Sequence, residues 1–407
     1  MHDNIRTLTF SGDKSVAHRL VLISLLLKKN IVIYNLPNGQ DVLTSLEIVK
    51  QLGVNVEKVE NGIRLCPTSK LDNCFGSACS PVCIDCKNSG TTARLLCGIL
   101  ANFKGHFKLS GDDSLSVRPM ERVVKPLREL MKLDIKCTDN HLPIYINANG
   151  CSEPVNFENT TGSAQVKSAI LFAGMAAQKE TTVTEKRISR DHTERLLKYI
   201  NANKDKSELI FNIPGDISSA AYFAILAAIT GKKICLEKVL LNPTRTGFLN
   251  VLKRMGAEIV INDYYYDGFE PVGNLIVGGG NLIATDINFE EIPSVIDELP
   301  VLAIAMAFAK GKSIVSGAGE LRVKESDRIS CLISQLKKIG INCNEKADGY
   351  EIIGGGLFKA TELDSYKDHR LAMSFAVLAK AANLALNIKN KECVDISFPE
   401  FWKYIEL

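Results

Sequence analysis

Nine basic residues, Lys14, Arg19, Arg94, Arg118, Lys167, Arg190, Lys324, Arg328 and Arg370, stand beside Ser, Gly, Thr, Asp or His where a polar start runs into an apolar segment. Charged groups in such places are costly unless they are paired or used. Arginine offers a planar fork to carboxylate or phosphate and lysine a compact charge, so the set suits a ligand that carries both groups. Three acidic residues, Asp297, Glu325 and Asp368, keep the same company. Cations that bind and carboxyls that move protons make an inventory for group transfer. Each candidate also has an ordinary alternative. Glu325, inside Arg322-Val323-Lys324-Glu325-Ser326-Asp327-Arg328, could belong to a solvated salt-bridge network. Asp297 could be a helix cap ahead of Pro300, His369 a satisfied core histidine, Gly90 a turn glycine and Arg118 plain loop surface.

These residues need elements to hold them, and an internal repeat supplies the pattern. Six segments open on small or acidic residues and run into an apolar helix. They start at Ser11-Gly-Asp-Lys-Ser, Asn88-Ser-Gly-Thr-Thr, Gly162-Ser-Ala-Gln, Gly215-Asp-Ile-Ser-Ser, Asp297-Glu-Leu-Pro and Asp368-His-Arg. Four later segments, from Leu46, Leu127, Leu249 and Leu332, read as amphipathic helices, three of them stopped by Gly53, Gly256 and Gly340. Strands are expected at 62–65, 143–146, 274–277 and 350–353. The unit reads as strand, helix, strand, helix, strand, strand. Its first helix is apolar around most of its circumference and so is expected to be buried. Helix starts carry unsatisfied N–H groups and partial positive charge, and several converging starts form an anion trap. Six ordinary Ser or Asp caps would look the same locally.

The composition fits a globular protein, with 46% hydrophobic and 23% charged residues in 407 and a formal charge of +3. Nucleic-acid binders are usually more basic, with the charge in one stripe. The length suggests two or more domains. The apolar run 299–309 is too short to span a bilayer, and MHDNIRTLTF does not read as a signal peptide, so a cytoplasmic location is expected. Of the twelve cysteines only Cys79, Cys83 and Cys86 cluster. A strand over 81–85 would send Cys83 and Cys86 to opposite faces, and no second Cys-x-x-Cys completes a four-ligand set. Reduced, structural thiols are the expectation.

Ten segments in order carry a resemblance: SGDKSVAHR, NSGTTARLL, LSGDDSLSVRPM, TGSAQVKSAILFAG, SRDHTERLL, PGDISSAA, NPTRTG, IDELPVLA, ELRVKESDRI and DHRLAMSFA. They span nearly the whole chain, which resembles the 5-enolpyruvylshikimate-3-phosphate synthase family. The resemblance implies a two-domain, inside-out α/β barrel of six βαβαββ units, three per domain, with helix starts facing a cleft between the domains. One domain would be 12–214; the other would join 1–11 to 215–407. The implied reaction adds the 5-hydroxyl of shikimate 3-phosphate to phosphoenolpyruvate and then eliminates phosphate, with no metal or organic cofactor.

The resemblance also assigns residues. Lys14, Ser15, Arg19, Ser163, Gln165, Ser189, Arg190, Asp297 and Lys324 would meet shikimate 3-phosphate. Phosphoenolpyruvate would meet Lys14, Gly90, Arg118, Gln165, Arg328, His369 and Arg370. Glu325 would move the proton at the methylene carbon and Asp297 the hydroxyl proton, with Lys14 beside both substrates; the two carboxylates could exchange these roles. Glyphosate would compete with phosphoenolpyruvate, and a monomer without nucleic-acid or membrane partners is implied. Two positions depart from the family pattern. Ile396 stands where a lysine often precedes Ser-Phe-Pro, and Ala164 replaces the second serine of Ser-Ser-Gln. The sister enzyme acting on UDP-N-acetylglucosamine places a reactive cysteine where this chain has Asp113, five residues before Arg118. A silent binding protein for phosphorylated sugars or RNA ends is the remaining alternative.

Overall fold

The apolar segments do form buried helices, and the polar starts of four of them cap the helix with a side chain. In the computed structural model, which describes residues 5–406, Ser89 accepts from Thr92 N and Ser163 from Val166 N. Asp216 accepts from Ser218 N and Ser219 N, and Asp368 from Arg370 N. Nine of the ten residues of the helix Leu299–Phe308 are buried, as the all-round apolar sequence requires. Its cap position is Glu298, with no side-chain capping bond, so capping does not account for Asp297.

Two compact units emerge among the described residues, one of residues 14–213 and one of residues 5–13 with 214–406. Residues 1–4 and 407, which the sequence expectation gave to a domain and in part to the leader reading, lie outside the described residues. In the unit 14–213, a sheet orders its strands Glu208–Asn212, Asn30–Tyr34, Gly62–Pro67 and Val54–Val59. The first pair is parallel and the rest antiparallel. Val82–Asp85, Lys104–Ser110, His141–Asn149 and Asp134–Thr138 repeat the arrangement. The third repeat has, among the described residues, only the parallel pair Asn156–Glu158 and Thr182–Thr184 around the helix Ala164–Ala173. The helices Gly90–Ile99 and Ala164–Ala173 pack closely because residue 98 is glycine: a Cβ there would stand 1.9 Å from the Ala169 carbonyl oxygen.

The other unit repeats the scheme. Arg6–Leu8 pairs in parallel with Ile234–Leu240, followed by Glu270–Gly278 and Glu258–Asp267. Gly311–Val315, Gly349–Gly354 and Asn342–Lys346 form the next sheet, with an isolated parallel bridge from Ile287 to Val315 in the place of its first strand. Glu362–Asp364 and Asn387–Lys389 form the last parallel pair, around the helix His369–Ala382. Gly53, Gly256 and Gly340 all take positive φ at helix ends, the conformation their placement required.

Candidate active site

In the unit 14–213, polar groups gather at the starts of four helices. Lys14 opens the helix Lys14–Ile23 and reaches Asp41 Oδ2 at 3.0 Å. Its neighbour Ser15 lies 3.5 Å from Arg190 Nη1 through its Oγ. Arg19, one turn on, is buried. Its Nε donates to Thr193 Oγ1 at 2.8 Å, its Nη1 to the Ser15 carbonyl at 2.8 Å and its Nη2 to Ser168 Oγ at 2.9 Å. Charge-assisted bonds of this kind make Arg19 a strut that fixes Ser15 against two further helices.

A second group surrounds Gly90. A Cβ there would lie 2.9 Å from Arg94 Nη1 and at an ordinary contact distance of 3.5 Å from Arg118 Nη1, so the glycine makes room for the Arg94 guanidinium at a helix start that Arg118 also approaches. Arg118 is buried, not loop surface, and donates from Nη2 to Asn88 Oδ1 and Ser114 Oγ, each at 3.0 Å. Arg94 Nη1 donates to Gln165 Oε1 at 2.8 Å, and Gln165 Nε2 to Thr91 Oγ1 at 3.0 Å. Gln165 is thereby oriented from both ends of its amide. Ser163 caps its helix, while Ser189 gives its hydroxyl to Glu185 Oε1 at 2.6 Å. Glu185 also binds Lys167 Nζ at 2.7 Å, which makes Lys167 a buried internal partner.

The other unit holds the carboxylates. Arg328 is buried and donates from Nε to Asp368 Oδ2 at 2.8 Å and from Nη2 to Asp368 Oδ1 at 3.2 Å. The same Nη2 reaches Glu325 Oε2 at 2.6 Å, and Nη1 lies 3.9 Å from Asp297 Oδ1. Arg370 donates from Nη1 to the Asp297 carbonyl at 2.9 Å, with Nη2 3.5 Å from Asp297 Oδ2. Burial by itself lowers the pKa of both arginines. The carboxylates outweigh it and raise them, Asp368 and Glu325 at Arg328 and Asp297 at Arg370, so both stay charged. Lys324 Nζ lies 3.3 Å from Glu320 Oε1, and His369 is buried at the first position of its helix.

Asp368 binds more of this cluster than its sequence position suggested. Fully buried, it accepts from both Arg328 nitrogens, from Ser326 Oγ at 3.0 Å and from Arg370 N at 2.9 Å. Asp297 and Glu325 keep partial exposure on the same arginines, so Arg328 and Arg370 have one fixed carboxylate and two accessible ones. Glu298, next to Asp297, is buried and accepts from Ser218 Oγ at 2.5 Å; Ser218 in turn accepts from Arg245 Nη2 at 2.8 Å. Arg245 pairs with Asp13 at 3.0 Å.

Asp41, Asn88 and Glu185 are contacts that the sequence reading did not single out. Asn88 sits inside a quoted motif and was legible there, whereas nothing in the local sequence marks Asp41 or Glu185. The cysteines divide by position. Cys83 is exposed and Cys86 buried, as the strand alternation predicts, but Cys74, Cys79 and Cys151 are also exposed, so burial does not describe the thiols as a set. No helix among the described residues is long and apolar enough to cross a membrane.

Arginines and carboxylates gathered at the starts of buried helices, on repeated α/β units, define a transferase for anionic substrates. The chain belongs to the EPSP synthase (3-phosphoshikimate 1-carboxyvinyltransferase) family, whose model matches residues 5–405. A 3-phosphoshikimate 1-carboxyvinyltransferase of Nitratiruptor sp. is 42% identical, the match covering 96% of this chain and 92% of that one. One from Helicobacter pylori is 39% identical over 98% of this chain and 96% of its own. A solved EPSP synthase of Acinetobacter baumannii is 35% identical with a TM-score of 0.83, covering 98% of this chain and 94% of that chain.

Proposed function

We propose that the chain transfers the enolpyruvyl group of phosphoenolpyruvate to the 5-hydroxyl of shikimate 3-phosphate, releasing phosphate, on the path to chorismate and the aromatic amino acids. The observation that carries this reading is the Arg328–Arg370 pair, with Asp297 and Glu325 resting on its guanidiniums. Cations for an anionic substrate and carboxylates for its protons then stand within one cluster.

In the first half-reaction the 5-hydroxyl oxygen bonds to the central carbon of phosphoenolpyruvate. The hydroxyl proton passes to Asp297 and the methylene carbon takes a proton from Glu325. The double bond is lost and a tetrahedral ketal forms. In the second half Glu325 takes a proton back from the methyl group, the double bond returns, and the C–O bond to phosphate breaks, the leaving phosphate taking the proton held by Asp297. Each proton transfer is a general acid–base step, worth about 10² to 10⁴ in rate. The order of the two carboxylates can also be reversed, and methylene exchange in Glu325→Gln discriminates the two.

Arg118, Arg328 and Arg370, with Lys14, Gln165 and His369, are the proposed partners of phosphoenolpyruvate. Ser15, Ser163, Arg190 and Lys324 are the proposed partners of shikimate 3-phosphate. Arg19 and Ser189 are proposed to act mainly through their neighbours, since their donors hold Ser15, Ser168, Thr193 and Glu185. Fixed charges of this kind stabilise developing charge without reorganising during the reaction. A monomeric cytoplasmic enzyme with glyphosate as a competitive inhibitor completes the proposal. Gly90 supports the inhibitor reading, because a Cβ there would press on Arg94. Initial rates of phosphate release with varied phosphoenolpyruvate and fixed glyphosate test it: a rise in KM with kcat unchanged is expected, and a fall in kcat alone would overturn it.

A further inference from the structure

The helix Ile217–Thr230 is built from Ile, Ala, Phe and Leu after its polar start, yet it carries Tyr222. The ring packs edge-on against Phe401 with centroids 5.8 Å apart. Its hydroxyl oxygen is buried and has no hydrogen-bond partner among the described residues. Phenylalanine would fill the same space without burying an unpartnered hydroxyl, so packing alone does not account for this oxygen. The guanidiniums of Arg370 and Arg328 and the carboxylates of Glu298 and Asp368 are the charges that act on it most. The helix packs against His369–Ala382, which carries Arg370 at its second position. Burial pushes the phenol pKa up, so the hydroxyl remains protonated with its lone pairs available to accept.

Arg370 has the complementary need. Its two terminal nitrogens lean on Asp297, one on the carbonyl and one toward the carboxylate. A substrate anion presented to this guanidinium competes with the Asp297 carboxylate for the same planar fork. We propose that Tyr222 is a positioning residue for the transfer reaction. When phosphoenolpyruvate draws Arg370 off the Asp297 carboxylate, the Tyr222 oxygen accepts a hydrogen bond from the guanidinium and fixes its angle. Asp297 is then released toward the hydroxyl proton while Arg370 keeps a partner on its buried side. This inference rests on the reading that Arg370 binds phosphoenolpyruvate.

The test is Tyr222→Phe, which removes one oxygen and keeps the ring. The phosphoenolpyruvate KM should rise about tenfold or more, the scale of one hydrogen bond to a charged group. The shikimate 3-phosphate KM should not move, and the thermal midpoint should hold or rise, because an unpartnered hydroxyl has been deleted. An unchanged phosphoenolpyruvate KM would overturn the proposal, and so would a fall in thermal midpoint with both KM values rising together. Arg370→Lys, measured alongside, separates the two levels of the argument. If it raises the phosphoenolpyruvate KM while Tyr222→Phe does not, the role of Tyr222 fails and the substrate reading stands. If Arg370→Lys leaves that KM unchanged, the substrate reading itself fails.

Discussion

Replacing Glu325 by glutamine removes one charge and one exchangeable proton while keeping the side chain's length. In the structure Glu325 Oε2 lies 2.6 Å from Arg328 Nη2, but Arg328 is also held by Asp368 through Nε at 2.8 Å and Nη2 at 3.2 Å. The amide oxygen of glutamine can accept the same Nη2 bond, so the guanidinium stays in place. Loss of a partly exposed ion-pair charge then costs folding stability no more than ~1 kcal/mol. The chemical cost is larger. Removing one general acid–base group lowers turnover by about 10² to 10⁴, or ~2.7 to 5.4 kcal/mol in the barrier. The assay pairs steady-state phosphate release with hydrogen exchange at the methylene carbon of phosphoenolpyruvate in deuterated solvent, followed by proton NMR. Turnover and exchange should fall together, with the KM for shikimate 3-phosphate nearly constant, as for an interaction needed only in the transition state. Near-normal turnover and exchange would refute the assignment and pass the methylene proton to Asp297. A thermal midpoint lowered by many degrees would refute the claim that Asp368 and the glutamine amide together hold Arg328.

Asp368→Asn should lower stability by about 3 kcal/mol, since it breaks a fully buried ion pair, though asparagine still caps the helix. That is roughly 6 to 12 °C in a thermal scan for a domain of this size, and a shift near zero would show that Glu325 and Asp297 already carry Arg328. Gly90→Ala places a Cβ 2.9 Å from Arg94 Nη1, the far end of a flexible side chain, so the protein should fold and bind glyphosate more weakly. An unchanged inhibition constant would remove Gly90 from the inhibitor argument. Alkylating the native protein at pH 8 should label the exposed Cys74, Cys79, Cys83 and Cys151 and spare turnover; loss of activity that tracks one thiol and is prevented by substrate would contradict this. Burial pushes the Cys97 thiol from 9.0 up to about 12, so its contribution to stability is full below pH 9 and fades as pH rises from 9 toward 12. Denaturant midpoints across that window should therefore fall less steeply in Cys97→Ala, and parallel slopes would refute the point.

Local periodicity carried much of the fold. The hairpin strands, the helix stops at Gly53, Gly256 and Gly340 and the buried helices follow from neighbours in sequence. What stayed hidden depends on distant partners. Arg6–Leu8 pairs with Ile234–Leu240, and Glu208–Asn212 with Asn30–Tyr34, pairings that no short window encodes. In the candidate site the motifs named the cations and carboxylates but not how they divide the labour. Arg19 reads as a ligand contact because, with Lys14 and Ser15, it matches the first motif of the resembled family, yet its donors turn inward to Thr193 and Ser168, which lie more than a hundred residues away. Asp368 read as one acid among three, and only its burial beneath Arg328 shows it to be the fixed partner. Tyr222 gave no signal, since a tyrosine in an apolar helix is ordinary until its hydroxyl is found without a partner.

The most direct measurement of the central claim is phosphate release from phosphoenolpyruvate by the purified chain in EDTA, run with shikimate 3-phosphate, with UDP-N-acetylglucosamine and with neither acceptor. Phosphate should appear only with shikimate 3-phosphate, accompanied by an equal amount of enol ether product by NMR. Release with UDP-N-acetylglucosamine at a similar rate, or none with any acceptor, would contradict the account.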